Sequence, residues 1–297
     1  MAIAKRFILF FLTNILVVIT ISTLLRVTGL DSYLLTQFGA GYQSLFLFCL
    51  IWGGAGSFIS LLLSKVIAKW SMGVEIVEET GPYKALVLMV HRLARKANLK
   101  KMPEVGVYES PEVNAFATGP SRSNSLVAVS TGLLSAMNDE ELEGVLGHEI
   151  AHIANGDMVT MSLIQGVINA FVMFFTHIIL NMIDNAMRDS EGRGGLGFMG
   201  RFFLSQVLHM AIGLLALPIV AGFSRWREYR ADKGGAQIAG RTKMIAALTC
   251  LQRTYDRLQD HEGPIQTMSI SSKTSFAELF STHPTLEKRI KALRQNF

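Results

Sequence analysis

Charged residues are scarce in this chain. Lys, Arg, Asp and Glu make up 17% of its 297 residues, whereas hydrophobic residues make up 50% and the mean hydropathy is +0.35. Ordinary soluble domains contain about 25% charged residues. The deficit excludes an ordinary soluble domain and indicates a membrane protein.

Cysteine is also scarce, and strongly basic segments are missing. The two cysteines, Cys49 and Cys250, have no CxxC spacing, so they indicate neither a zinc thiolate site nor a disulfide. The net charge of +5 does not indicate nucleic-acid binding, because no basic run is interleaved with stacking aromatic residues. Positive residues that flank membrane spans account for the excess.

Four apolar stretches are long enough to cross a bilayer, which takes about 20 mostly apolar residues. They run from about Phe7 to Leu25, Leu45 to Ile67, Met158 to Ile183 and Phe202 to Phe223. A cleaved signal peptide is the alternative for the first stretch, which is longer than a typical apolar signal region and lacks an evident cleavage site. The sequence therefore predicts an integral membrane α-helical protein with about four transmembrane helices embedded in the lipid bilayer.

The distribution of positive charge predicts the orientation of these spans. Lys5 and Arg6 precede the first span, and Lys65 and Lys69 close the second. Positive residues favour the cytoplasmic side, so both termini are predicted to be cytoplasmic. The predicted parts are two N-terminal transmembrane helices (1–69), a first cytoplasmic part (70–157), a transmembrane hairpin (158–223) and a second cytoplasmic part (224–297).

The run His148-Glu149-Ile150-Ala151-His152 is an HExxH motif. On an α-helix both imidazoles point from one face, where they can bind one zinc ion while Glu149 acts as the catalytic base. Asn138 and Glu141 form a capping-box pattern at the start of this helix, and Asn155-Gly156 is a stop signal. The pattern predicts a zinc hydrolase.

A third zinc ligand has to come from elsewhere in the chain, and Glu228 is the candidate. Asp232 lies four residues later on the same helix face, so one carboxylate can bind the metal while the other accepts a hydrogen bond from a ligating imidazole. The alternative for this pair is a solvated, charged helix face. Spacing favours the metal site: straight helices place His152 about 9 Å before the third span and Glu228 about 8 Å beyond the fourth, and a hairpin brings them together.

The segments HEIAHIANGDMVTM and EYRAD, separated by a hydrophobic hairpin, resemble those of the HtpX family of bacterial membrane zinc metalloproteases, relatives of the CAAX prenyl proteases and the Oma1-type proteases. The resemblance extends over nearly the whole chain and includes 114–119, 126–134 and Thr282-His283-Pro284. It implies a cytoplasmic α+β, zincin-like catalytic domain with a small β-sheet. It also implies one Zn²⁺ per subunit, with His148, His152 and Glu228 as ligands, Glu149 as the catalytic glutamate and Asp232 supporting a ligand.

Further residues are candidates for contact with the substrate or the transition state. His283, Tyr229 and Arg230, in that order, are candidate donors to the oxyanion, although a His-Pro pair also marks structural turns. Segments 105–108 and 126–130 are predicted strands, and Asn114 and Ala115 are candidates for substrate contact beside the cleft. The alternative for Asn114 is that it ends a turn.

Two histidines and one loop have weaker signals. His177 and His209 fall inside predicted spans, where hydrogen bonding between helices or proximity to an interface is favoured over a second metal site. The polar segment from Gly263 to Lys273 is predicted to be a mobile loop and a candidate target for self-cleavage.

The sequence thus predicts a zinc endopeptidase in the bacterial inner membrane, with its active site on the cytoplasmic side. Its expected substrates are misfolded membrane proteins, in a stress-linked quality-control role with other membrane quality-control proteins as candidate partners. Prenylated peptides are less favoured, because CAAX-type enzymes have more spans. The alternative from another class is a membrane scaffold with a structural zinc, which would not need Glu149 as a base.

Overall fold

The computed structural model describes residues 41–188, 194–261 and 281–295. Eight helices and four strands follow one another in these ranges. They are α1 (Gly41–Met72), β1 (Glu75–Ile76), α2 (Lys84–Lys96), β2 (Glu104–Tyr108), β3 (Ala115–Ser121), β4 (Asn124–Ser130), α3 (Thr131–Ala136), α4 (Asp139–Asn155), α5 (Asp157–Ala186), α6 (Gly197–Ala239), α7 (Arg241–His261) and α8 (Leu286–Gln295).

Three helices in the described ranges, α1, α5 and α6, are long and apolar enough to cross a membrane. They contain the second, third and fourth predicted spans. The first predicted span, residues 7–25, lies outside the described residues, so the total of four remains a prediction. Helix α6 continues well past its apolar stretch and contains Pro218 in its interior.

The described chain forms two compact units, one built from 41–59 and 162–217 and the other from 60–161 and 218–295. In the first unit, α1 and α5 make close backbone contact at Gly53, where a Cβ atom would lie 2.7 Å from the amide nitrogen of Ala170. Ser162 donates a hydrogen bond to the backbone carbonyl of Ser57 at 2.7 Å. Small and hydroxylic residues at such contacts are typical of helix pairs in membranes.

The second unit contains a four-stranded sheet in the order β1-β2-β4-β3. Strands β2 and β4 are parallel, whereas the two outer pairings are antiparallel. Both predicted strand segments are confirmed, since they form β2 and β4. The sheet places β3 at one edge, and this strand packs against α4.

Helix α4 carries the HExxH motif and has the predicted boundaries. The side chain of Asn138 accepts hydrogen bonds from the backbone of Glu140 and Glu141, and the Glu141 carboxylate accepts one from the Asn138 amide, which completes the capping box. Gly156 ends the helix with a φ of 68°, in the left-handed region that favours glycine. The motif is thus held on a helix with both ends capped.

One face of α4 lies in the main hydrophobic core. Leu146, Ile150 and Ile153 are fully buried among side chains from α2, the sheet and α7. On another side, Gly144 lets α7 approach: a Cβ atom there would lie 2.3 Å from the carbonyl oxygen of Lys243. The chain around the motif is therefore positioned by close packing.

Candidate metal centre

The side chains of His148, His152 and Glu228 converge in the second unit. Their three candidate ligand atoms all lie within 4.8 Å of one another, and the residues are 8%, 7% and 2% exposed. Nε2 of His148 is 3.0 Å from Nε2 of His152. The Glu228 carboxylate lies 3.5 Å from Nε2 of His148 and 3.3 Å from Nε2 of His152. Helix α4 thus supplies two nitrogen donors and α6 one oxygen donor.

These distances fit a zinc ion. Bonds of about 2.0–2.1 Å at tetrahedral angles would place two ligand atoms about 3.3–3.4 Å apart. The two Nε2 atoms are 3.0 Å apart, and they lie 3.5 and 3.3 Å from Oε2 and Oε1 of Glu228, respectively, which is close to that value. Two imidazoles and one carboxylate also form a donor set that leaves a fourth coordination position open, as catalytic zinc sites require.

Each histidine has its own carboxylate on the other ring nitrogen. Asp232 lies 2.9 Å from Nδ1 of His148, and Asp157 lies 2.7 Å from Nδ1 of His152. Such contacts fix the tautomer so that Nε2 faces the metal. Asp232 was among the residues predicted from the sequence, whereas Asp157 was not.

Arginines surround these carboxylates. Arg289 makes two hydrogen bonds to Asp232, at 2.8 and 2.6 Å, and lies 3.4 Å from Glu228. Arg227 ion-pairs with Glu228 at 2.8 Å, and its Nη1 lies 3.0 Å from Nδ1 of His152. The sequence analysis assigned Arg227 no role in the site, because it was interpreted as a positive residue that flanks the last membrane span.

The electrostatics of the cluster keep its carboxylates ionised. Burial tends to raise the pKa of Glu228, but its hydrogen bonds with His148, His152 and His283 hold that pKa far below the usual range. Burial also tends to raise the pKa of Asp232, but the hydrogen bonds and positive charges of Arg289 and His148 together lower it. The site therefore presents negative oxygens that favour a bound cation.

Glu149 and His283 lie beside this cluster. Glu149 follows His148 on α4 and is half-buried, and no hydrogen bond or ion pair joins its carboxylate to another described residue. Nδ1 of His283 is 3.2 Å from the Glu228 carboxylate, and its side chain is 62% exposed. Both side chains are therefore available to a substrate or a water molecule.

The other two candidate oxyanion donors make no side-chain contact with the three candidate ligands in the described part of the chain. Tyr229 has an exposed side chain, and within the described ranges no contact joins it to the three candidate ligands. Nη2 of Arg230 contacts Asp157 at 2.6 Å, and no contact among the described residues joins Arg230 to the three candidate ligands. The geometry favours His283 over both.

Asn114 and Ala115 lie at the start of the edge strand. The Asn114 amide donates to the hydroxyl of Ser130, and the Asn114 carbonyl accepts from the Ser130 amide. Ala115 is the first residue of β3. The contacts fix the backbone of Asn114 directly before β3 and place Ala115 at the start of the strand that packs against α4, and they do not distinguish between the two interpretations of Asn114.

The remaining sequence candidates do not contribute to the cluster. Nδ1 of His177 lies 2.8 Å from the carbonyl oxygen of Met173, so this hydrogen bond lies within α5 and does not join two helices as expected. His209 has an exposed side chain on α6. Cys49 and Cys250 are free thiols. The segment from Gly263 to Lys273 lies outside the described residues.

Comparison with known proteins identifies related peptidases. The sequence profile of peptidase family M48 matches residues 83–296. The "Protease HtpX homolog" of Methylacidiphilum infernorum (isolate V4) is 46% identical over 300 residues, covering 98% of each chain. The "Protease HtpX" of Aeromonas salmonicida (strain A449) is 48% identical over 302 residues, covering 98% of this chain and 99% of its own.

A solved structure shares the fold. The crystal structure of S. mikatae Ste24p aligns with a TM-score of 0.59 and 17% sequence identity, over 96% of this chain and 66% of that longer chain. At that identity the likeness concerns the fold alone. The family match and the near-full-length relatives show that this chain belongs to peptidase family M48, among the HtpX proteases, and is a membrane metalloprotease.

Proposed function

We propose that the protein is a zinc-dependent endopeptidase that cleaves misfolded or damaged membrane proteins at the cytoplasmic surface of the bacterial inner membrane. The observation that carries this proposal is the convergence of His148, His152 and Glu228 beside the half-buried Glu149. One zinc ion per subunit fits this donor set. The proposal includes a role in the stress response and in membrane quality control, together with other quality-control proteins, and the similarity to HtpX proteases supports it.

The proposed organisation places residues 1–69 and 158–223 in the membrane and residues 70–157 and 224–297 in the cytoplasm. Support comes from the apolar helices and from the positive residues that close them, among them Lys65, Lys69, Arg225 and Arg227. The transmembrane hairpin interrupts the catalytic domain between His152 and Glu228.

The residues of the site have three proposed roles: metal binding, proton transfer and orientation of the imidazoles. His148, His152 and Glu228 would hold the zinc ion, which when bound polarises the scissile carbonyl and lowers the pKa of water. Glu149 accepts the proton of the attacking water and delivers it to the leaving amine. Asp157 and Asp232 keep both imidazoles in the tautomer that binds metal, because each accepts a hydrogen bond at Nδ1.

His283 is the proposed donor to the oxyanion that develops on the scissile carbonyl. Its Nδ1 contacts Glu228 and the ring is largely exposed, and no described residue contacts its Nε2, which can therefore face a substrate. A donor placed in this way stabilises charge that develops only in the transition state.

The edge strand β3 is the proposed binding surface for substrate. It pairs with β4 on one side, and it packs against the helix that carries Glu149. An extended peptide that adds to such an edge, beginning near Asn114 and Ala115, is held mainly by backbone hydrogen bonds. This mode imposes little side-chain selectivity, which suits unfolded segments of many different proteins.

The test compares the purified wild type with Glu149→Gln for zinc content and for cleavage of casein, with and without a chelator. Glu140→Gln is the matched control, because Glu140 is an exposed glutamate on the same helix. We expect both variants to bind one zinc, and Glu149→Gln alone to lose about 10²–10⁴-fold in rate. Equal cleavage by wild type and Glu149→Gln would rule out Glu149 as the base. Zinc binding without cleavage of casein or of a membrane-protein substrate would favour a scaffold with a structural zinc.

A further inference from the structure

Arg122 lies in the tight turn between β3 and β4, and its charge is unpaired within the described residues. The residue is half-buried, and its Nε–H group is fully buried without a hydrogen-bond partner. No hydrogen bond or ion pair joins the rest of its guanidinium to a described residue. Since a buried donor without a partner costs free energy, this arrangement is expected to have a ligand.

Arg230 lies close enough to Arg122 for its charge to act on it, as does Asp157. The Nε–H of Arg230 is also buried and unpartnered, although its Nη2 donates to Asp157 at 2.6 Å. Burial, and next the charge of Arg230, lower the pKa of Arg122. Asp157 is thus one carboxylate near two arginines, so it neutralises only one of their two positive charges.

The geometry of the two guanidinium groups favours a phosphate as the ligand. Two guanidinium groups with free N–H donors match the several acceptor oxygens of a phosphate. A phosphate bound beside the two guanidinium groups would neutralise the repulsion between the two arginines.

The source of that phosphate follows from what adjoins this pair. Asp157 is the first residue of the apolar helix α5, and Arg230 follows the apolar stretch of α6 that ends at Phe223. Two residues after Arg122, at the start of β4, Asn124 accepts a hydrogen bond at 2.8 Å from Lys65, near the end of the apolar stretch of α1. Positions next to three apolar spans are where lipid headgroups lie.

An exposed aromatic ring at the same place supports a lipid. Trp226 is 53% exposed, and the Arg230 guanidinium lies over its ring at 4.9 Å from the centroid. Exposed tryptophans are enriched at the level of the headgroups, where their rings contact both apolar and polar groups.

We propose that Arg122 and Arg230 bind the phosphate of an anionic phospholipid. The bound phosphate removes the repulsion between the arginines and so keeps Arg230 on Asp157. Asp157 in turn holds Nδ1 of His152, so the lipid acts as a positioning element for a candidate metal ligand.

The first experiment measures lipid binding without proteolysis, so its failure is separate from a failure of the proposed enzymatic function. The Glu149→Gln protein is delipidated and titrated with phosphatidylglycerol, and bound lipid is counted by native mass spectrometry. Arg122→Gln in this background is expected to bind about fivefold more weakly, as the loss of one cation near a headgroup predicts. Arg95→Gln is the matched control, because Arg95 is exposed on α2. Arg122→Lys keeps the charge and should regain part of the affinity.

The second experiment uses the active protein with excess zinc, in nanodiscs of phosphatidylcholine alone or mixed equally with phosphatidylglycerol. We expect the wild type and Arg95→Gln to cleave casein faster with phosphatidylglycerol, and Arg122→Gln to lose that stimulation. Zinc content and elution volume of each variant establish that it is folded.

Three results would overturn the proposal. One is phosphatidylglycerol binding by Arg122→Gln equal to that of the Arg95→Gln control. The second is full stimulation by inorganic phosphate in phosphatidylcholine nanodiscs, which would make the site one for free phosphate. The third is unchanged lipid binding together with a lost preference for acidic over matched neutral peptides, which would assign Arg122 to substrate side chains.

Discussion

The carboxylate of Asp157 lies 2.7 Å from Nδ1 of His152 and 2.6 Å from Nη2 of Arg230. It is buried, and it begins α5 immediately after Gly156 ends α4. A candidate metal ligand is therefore oriented by the first residue of an apolar helix. Asp232 contacts Nδ1 of His148 in the same way, so each imidazole of the site is oriented by a separate carboxylate.

The substitution Asp157→Asn is expected to weaken zinc binding about 10–100-fold, because the amide no longer fixes the tautomer of His152 as a carboxylate does. Competition with a fluorescent zinc chelator measures the affinity. Casein cleavage should fall at limiting zinc and recover largely when zinc is in excess.

Asp256→Asn is the control for this prediction, since Asp256 is exposed on α7 and should bind zinc like the wild type. An Asp157→Asn protein with wild-type zinc affinity would show that the contact to His152 is not needed to orient the ring.

The sequence predicted His148, His152, Glu228 and Asp232 because regular helices determine which of their residues share a face. It missed Asp157 for the opposite reason. The left-handed turn at Gly156 separates two helices, and the direction in which α5 leaves that turn is set by packing. Helical spacing counted from His152 gives no information beyond such a turn.

Close contacts were likewise not predictable from the pattern of apolar residues. Nothing in the periodicity of α4 distinguishes Gly144, where α7 approaches closely, from a glycine on an open face. Tyr229, a candidate oxyanion donor, is next to Glu228 in sequence, but neighbouring helical residues point in different directions, and its side chain is exposed.

Replacing Gly144 by alanine is expected to destabilise the second unit, which contains α4, by about 1–3 kcal/mol, because the new methyl group would overlap the carbonyl of Lys243. Scanning calorimetry in detergent measures the expected decrease in melting temperature. Zinc affinity and activity should decrease with it, since α4 carries two candidate ligands.

Gly54→Ala is the matched control, because among the described residues nothing lies within 4 Å of a Cβ atom at Gly54. It should melt at or slightly above the wild-type temperature, since alanine favours helix formation. If Gly144→Ala melts with this control, α4 and α7 are not tightly packed at that point.

Glu143 links α4 to two other helices and should make stability depend on pH. Its carboxylate lies 2.7 Å from Lys243 and 3.0 Å from Arg92. Burial tends to raise the pKa of Glu143, but the hydrogen bond from Lys243 and the two positive charges lower it below its ordinary value of 4.5. A lowered pKa in the folded state means that the ionised form contributes stability above pH 4.5, and that this contribution is lost as the pH falls through the lower folded value.

We therefore expect Glu143→Gln to reduce the free energy of unfolding by about 1 kcal/mol at neutral pH, since both partners are partly exposed. The difference from the wild type should shrink as the pH is lowered below 4.5. Thermal unfolding of both proteins across this range measures it, and a difference that stayed constant or grew in acid would contradict the assignment.

His283 is expected to stabilise the transition state. Measuring kcat and zinc binding separately for a His283 variant tests this. Its Nδ1 contacts Glu228 at 3.2 Å while most of the ring is exposed. If its other nitrogen donates to the developing oxyanion, His283→Ala should lower kcat about 10²-fold with little change in KM. Zinc content at saturating metal should stay at one per chain, since His148, His152 and Glu228 remain. A variant with wild-type kcat but weaker zinc binding would instead show that His283 only braces Glu228, and wild-type behaviour in both measurements would reduce Thr282-His283-Pro284 to a structural turn.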